Sequence, residues 1–98
     1  MATFSELINS NKPVLVDFSA EWCGPCKMMK PILDTLKADL GETATILKVD
    51  VDKNPAAAKA YKIQGVPTLI VFKHGKPMWR QSGVVQADHL KSVIKKYL

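Results

Sequence analysis

The chain predicts an α/β fold with a central mixed sheet, on three observations. Val14-Leu15-Val16-Asp17-Phe18 is a continuous β-branched and aromatic run, the mark of a strand covered on both faces. A stretch of helix periodicity, Pro25 to Leu40, follows it and precedes a second strand-like run, so the two strands pair in parallel through a right-handed crossover. Near the end, two further strand runs flank Lys73-His74-Gly75-Lys76, a hairpin turn that makes the last pair antiparallel. Helices are then expected on both faces, and the loop after the first strand becomes the natural place for chemistry.

Each element has its own local reason. Thr3-Phe4-Ser5-Glu6 fits a capping box that opens a short helix carrying Leu7 and Ile8, which Asn11 to Pro13 end. In the long helix, Met28, Met29, Ile32, Leu33, Leu36 and Leu40 recur at three- and four-residue spacing; Pro31 predicts a kink, and Gly41 a stop. Thr45 to Val51 reads as the second strand. Asn54-Pro55 supplies a cap and an N1 proline for an Ala-rich helix to about Tyr61, and Gly65 marks the next turn. Thr68 to Phe72 and Met78 to Ser82 are the third and fourth strands, with Pro77 pointing to a sheet edge. Ala87 to Tyr97 closes the chain with Leu90, Val93, Ile94 and Tyr97 on one face.

Ninety-eight residues, 47% of them apolar and 23% charged, bound the chain to a single domain, residues 1–98. Such a domain buries enough surface to need neither a disulfide framework nor a structural metal, so its two cysteines call for another explanation. Apolar runs of about five residues fall far short of a membrane span. The N-terminus shows no secretory signal, which makes the cytoplasm the expected compartment. The net charge of +5 is uneven, −1 over the first 49 residues and +6 over the last 49. Lys91, Lys95 and Lys96 nevertheless fit the solvated face of the last helix, and no nucleic-acid motif interleaves with them.

Trp22-Cys23-Gly24-Pro25-Cys26-Lys27 places a Cys-x-x-Cys pair at a strand-to-helix junction, which reads as a redox motif. Free N–H groups and the positive end of the helix dipole lower the thiol pKa of Cys23 and raise its thiolate fraction. Cys26, three residues on, shares a helix face with it, so the disulfide opens and closes with modest local movement. A four-residue ring stabilises the fold by only about 2 kcal/mol, which makes the bond a poor staple. Pro25 pre-sets a helical φ and stiffens the turn, leaving Cys23 accessible. Two inert buried cysteines are one alternative. A zinc half-site is another, but it needs two further ligands, and His74 and His89 lie fifteen residues apart in a turn and a helix.

These residues resemble the thioredoxin family from about Lys12 to the end. The active-site segment from Val14 to Lys27 is similar at almost every position, and Pro31-Ile32-Leu33, Lys48-Val49-Asp50, Val66-Pro67-Thr68 and Gly83 match further fixed points in order. The resemblance implies a thioredoxin fold of about four strands and four helices, without the additional first strand usual in the family. It implies a cis bond before Pro67 and a flat contact surface around Cys23 formed by Trp22, Gly65, Val66, Pro67, Gly83 and Val84, although Trp22 could equally pack in a core. It also pairs Asp17 with Lys48 beneath Cys26, Asp17 taking that thiol's proton; burial would raise the Asp17 pKa and Lys48 would lower it. Ser19 stands where many bacterial members carry Trp.

The function so implied is reduction of protein disulfides by a monomer that holds no metal or bound organic cofactor. Electrons would come from NADPH through a flavin-dependent thioredoxin reductase. Gly-Pro between the cysteines resembles the family's reducing branch; an oxidase or isomerase domain and a non-catalytic interaction module are the alternatives.

Overall fold

The computed structural model describes residues 3–98. In chain order it contains α1 (Phe4–Ile8), β1 (Val14–Ser19), α2 (Gly24–Leu40), a 3-10 turn (Gly41–Thr43), β2 (Thr45–Asp50), α3 (Pro55–Ala60), β3 (Thr68–Lys73), β4 (Lys76–Ser82) and α4 (Ala87–Lys95). The sheet order is β2-β1-β3-β4, with β1 parallel to β2 and antiparallel to β3, and β3 antiparallel to β4. Every residue of β1 is buried because the strand has a neighbour on each side and helices above and below.

Side-chain alternation along β1 and β3 divides the core into two layers. Leu15, Leu69 and Val71 meet Met29, Leu33 and Leu36 of α2 and Leu90, Val93 and Ile94 of α4. On the other face Val14, Val16, Phe18, Ile70 and Phe72 meet Ile8 of α1, with Phe4, Ala57 and Tyr61 packed against them. Burial of each large side chain contributes roughly 1.5–3 kcal/mol, so these layers supply the main driving force. Phe4, Tyr61 and Phe72 add ring contacts at centroid distances of 5.0–6.0 Å.

Some local expectations are realised differently. Thr3 caps α1 by accepting the Glu6 N–H at 3.1 Å, but its hydroxyl also donates to the Glu6 carboxylate, so the reciprocal capping bond is a side-chain one. The helix ends at Ile8, earlier than Asn11, because the Ile8 and Ser10 carbonyls accept from Gly75 and His74 of the β3–β4 turn. Asn54 does not cap α3 with its side chain; its Nδ2 donates instead to the Asp50 carbonyl at 3.0 Å. α2 continues through Pro31: the i−4 carbonyl that loses its donor belongs to Lys27, an exposed residue. His74 and Gly75 both have positive φ, the geometry of a tight hairpin, and Pro77 sits on the β4 edge next to a register shift opposite Val71 and Phe72.

Candidate active site

Cys23 is the N-cap of α2, and the Cys26 N–H donates to its Sγ at 3.1 Å. The local sequence produces this directly: extended backbone at Cys23 leads into Gly24-Pro25, and proline enters the first helical turn where its missing N–H costs nothing. The two cysteines are joined in a disulfide with Cα atoms 5.3 Å apart. They pack with Ala20 in a small cluster of their own, flanked by Val51 and Val66.

The Val66–Pro67 peptide bond is cis and lies across this cluster, placing the Val66 carbonyl oxygen 3.6 Å from Cys23 Sγ. Among the described residues Val66 makes no backbone–backbone hydrogen bond; its carbonyl is in contact with Cys23 Sγ. The Pro67 carbonyl accepts from Gly83 N–H at 2.8 Å, which draws Gly83 to the same loop. Gly65 is exposed and its carbonyl accepts the Thr68 hydroxyl.

Three expectations about the surface change. Cys23 is only 4% exposed, scarcely more than Cys26 at 2%, because the Val66 loop and Ala20 cover the disulfide; the expected contrast in accessibility is small. Pro67 is buried, although the cis bond before it adjoins the Val66 carbonyl at Cys23. Val84 is half-buried and packs against the α2–α4 layer. Trp22, by contrast, is 72% exposed and belongs to the surface, as do Gly24, Pro25 and Lys27.

What holds Trp22 there was not foreseen from sequence. Its indole Nε1 donates to Asp52 Oδ2 at 2.9 Å, and neighbouring Glu21 pairs with Lys53 at 3.3 Å. Asp50 stiffens that segment by accepting the Asp52 and Lys53 N–H groups. The available signal was an exposed indole that needs an acceptor and a run of polar residues after β2. Asp52→Ala is expected to lower the fluorescence anisotropy of Trp22 and raise KM for a protein disulfide a few-fold, whereas Asp52→Asn, which keeps an acceptor oxygen, retains most of both. Unchanged anisotropy in the alanine variant would show that the bond does not hold the indole.

Asp17 lies in the middle of β1, fully buried, and neither carboxyl oxygen has a hydrogen-bond partner. Burial pushes its pKa up from 3.8 to about 6, while the ammonium of Lys48, its register partner on β2, pulls in the other direction. The two line a cavity of about 270 Å³ together with Lys30, Leu33, Asp34, Lys37 and Ile46. Neither cysteine lines it, so the structure sets the Asp17–Lys48 pair beside a cavity of its own. Among the described residues no group of three or more His, Cys, Asp or Glu is placed to hold a metal ion, and no helix is long and apolar enough to cross a membrane.

A reversible dithiol at a helix N-terminus, under the Val66 loop, is suited to exchanging disulfides with another chain. Comparison with known proteins agrees. The thioredoxin family model matches residues 1–96. A thioredoxin-like protein of Synechocystis sp. is 51% identical over 90 residues, 91% of this chain and 86% of that one. Thioredoxin of Staphylococcus aureus is 50% identical over 84 residues, 86% of this chain and 81% of that one. Among solved structures, a mutant thioredoxin from Halobacterium salinarum superposes with a TM-score of 0.85 at 40% identity, covering 99% of this chain and 87% of its own. With its Cys23–Cys26 pair at disulfide distance, the chain belongs to the thioredoxin family and is a thiol-disulfide oxidoreductase of the protein-disulfide-reductase type.

Proposed function

We propose that Cys23 is the attacking and Cys26 the resolving sulfur. The thiolate of Cys23 attacks one sulfur of a substrate disulfide, forming a mixed disulfide and expelling the other substrate sulfur as a thiolate. Cys26, once deprotonated, attacks Cys23 Sγ, closes the Cys23–Cys26 bond and expels the second substrate thiolate. Two electrons pass to the substrate. Supporting this order, Cys23 is the sulfur at the helix N-cap and receives the Cys26 N–H, an arrangement that favours its anionic form.

Trp22, Gly65, Val66 and Gly83 form the contact face in this reading, with Pro67 and Val84 as supports. An extended substrate segment pairs with the Val66 N–H and C=O, which aligns its disulfide over Cys23. Asp17, poised near neutrality by burial and by Lys48, accepts the Cys26 proton through water. Regeneration uses electrons from NADPH delivered by a flavin-dependent thioredoxin reductase, and the protein serves electron transport and redox homeostasis in the cytoplasm as a monomer. The observation that carries the reading is the redox-active disulfide at the start of α2 beneath the Val66 carbonyl.

Cys26→Ser tests the order of attack. It is expected to accumulate covalent adducts with a disulfide-bonded protein substrate, released by added dithiol; adducts formed only by Cys23→Ser would reverse the assignment. Equilibration with a glutathione buffer is expected to leave the protein mostly disulfide-bonded while glutathione is reduced, the behaviour of a stronger reductant. A dithiol that survives in oxidised glutathione would favour the oxidase or isomerase reading.

A further inference from the structure

The segment that joins α3 to β3 and covers Cys23 has few backbone ties of its own. The Ile63 N–H closes α3 on the Ala58 carbonyl at 2.9 Å, and among the described residues Gln64, Gly65 and Val66 make no backbone–backbone hydrogen bond. What fixes this segment comes largely from β4. The Thr68 hydroxyl donates to the Gly65 carbonyl at 2.6 Å, so in its 2.9 Å contact with Ser82 the Ser82 hydroxyl is the donor. Gly83 N–H holds the Pro67 carbonyl at 2.8 Å. At the far end of the segment, Arg80 donates through Nη1 to the Tyr61 carbonyl and through Nη2 to the Lys62 carbonyl, the second at 2.8 Å.

The chemistry of this end suits an arginine. A helix leaves its last carbonyls without intrahelical donors, and a cation near them is favoured by the helix dipole. Lys62 turns the chain there with a φ of 52°, a left-handed backbone that a residue with a side chain adopts reluctantly. The planar guanidinium fork spans two successive carbonyls, which an ammonium on a flexible stem does not. Register explains why Arg80 reaches them. It stands opposite Ile70, whose side chain belongs to the α1 and α3 layer, and directly opposite residues share a face of the sheet. Among the described residues Arg80 is in no ion pair, so the two carbonyls are its polar partners. Only Ile63, Gln64 and Gly65 separate Lys62 from Val66, so a shift at one end of this short segment carries to the other.

We propose that Arg80 is a positioning residue for protein substrates: by clamping the Tyr61 and Lys62 carbonyls it fixes the α3 end of the segment that sets Val66 against Cys23. The proposal rests on the reading of Val66 as part of the contact face. With the segment held, an incoming protein chain meets a Val66 backbone already in place, and binding is spared the cost of ordering it. Arg80 has its polar contacts on the end of α3 and none on the cysteines, so it acts on recognition of the substrate chain and leaves the sulfur chemistry alone. A small disulfide, which has no chain to lay along Val66, is indifferent to it.

The test compares the parent with Arg80→Met, which keeps an aliphatic stem, and Arg80→Lys, which keeps the charge. In the methionine variant, NMR order parameters at Gly65 and Val66 are expected to fall from about 0.85 to about 0.6 while those of β1 hold. KM for insulin, with an added dithiol as electron source, is expected to rise about fivefold at constant kcat, and the rate with dithiobis(nitrobenzoate) to stay the same. Lysine, reaching one carbonyl, is expected to fall between parent and methionine in both readouts. Unmoved order parameters, an unmoved KM for insulin, equal losses with both disulfides, or order lost throughout β1 and β3 in both variants would each overturn the proposal. The Val66 reading is checked separately: the mixed disulfide of Cys26→Ser with a protein substrate is expected to slow amide exchange at Val66. Absence of that protection fails the contact-face reading, whereas protection together with an unmoved KM in Arg80→Met fails the Arg80 assignment alone.

Discussion

Replacing Cys23 by serine is expected to abolish turnover of protein disulfides, leaving only the background rate of the added reductant. The chemistry requires a thiolate. A serine hydroxyl at the same N-cap stays protonated at neutral pH, and no helix dipole brings it within reach of ionisation. Cys26 is not expected to substitute, because it lies inside the first turn of α2, whereas the position that receives the Cys26 N–H is the N-cap. The fold survives, since a four-residue disulfide ring contributes only about 2 kcal/mol and the two core layers do not involve the cysteines. Circular dichroism and urea unfolding of the variant, compared with the reduced parent, check that point, and an insulin-reduction assay reads the activity. Residual turnover above background would move the attacking role away from Cys23, whereas a well-folded but inactive variant that still bound its partners would separate an enzyme from an interaction module.

Asp17→Asn is expected to stabilise the folded protein at neutral pH. The folded-state pKa of about 6 lies above the ordinary value of 3.8, so between those pH values the folded protein holds a proton that the unfolded chain has released. Stability contributed through this group is therefore fully present below about pH 3.8, declines as pH rises towards 6, and at pH 7 its loss is complete. A shift of this size corresponds to at most about 3 kcal/mol. The amide removes that pH-dependent penalty but leaves a buried polar group without partners, which takes back part of the gain. The expected result is a rise in unfolding free energy of about 1–3 kcal/mol at pH 7 that vanishes below pH 4. The same variant is expected to slow release of reduced substrate and to lose an ionisation near pH 6 from the rate profile. A stability difference that does not change with pH would show that Asp17 is not the buried ionising group.

Much of the fold was legible because it rests on interactions within a few residues. The unbroken apolar run at Val14–Phe18 required a strand with neighbours on both sides, and the spacing of Met29, Leu33, Leu36 and Leu40 required a helix against one face. Where the sequence reading failed, a distant contact had intervened. The end of α1 is set by its carbonyls accepting from His74 and Gly75, more than sixty residues away, and Asn54 is drawn from its capping role by Asp50 at the end of β2.

The active site divides in the same way. Residue order alone determined that two sulfurs stand one helical turn apart at the start of α2, since capping, the N1 proline and the three-residue spacing are properties of a short segment. Only tertiary structure decided that the Val66 carbonyl, 43 positions away, lies against Cys23, that Asp52, 30 positions on, holds Trp22, and that the Asp17 carboxyl faces a cavity with no partner. Local geometry follows from the chain's own dihedral preferences, whereas these contacts depend on strand order and register, which are settled when the two layers close and not before.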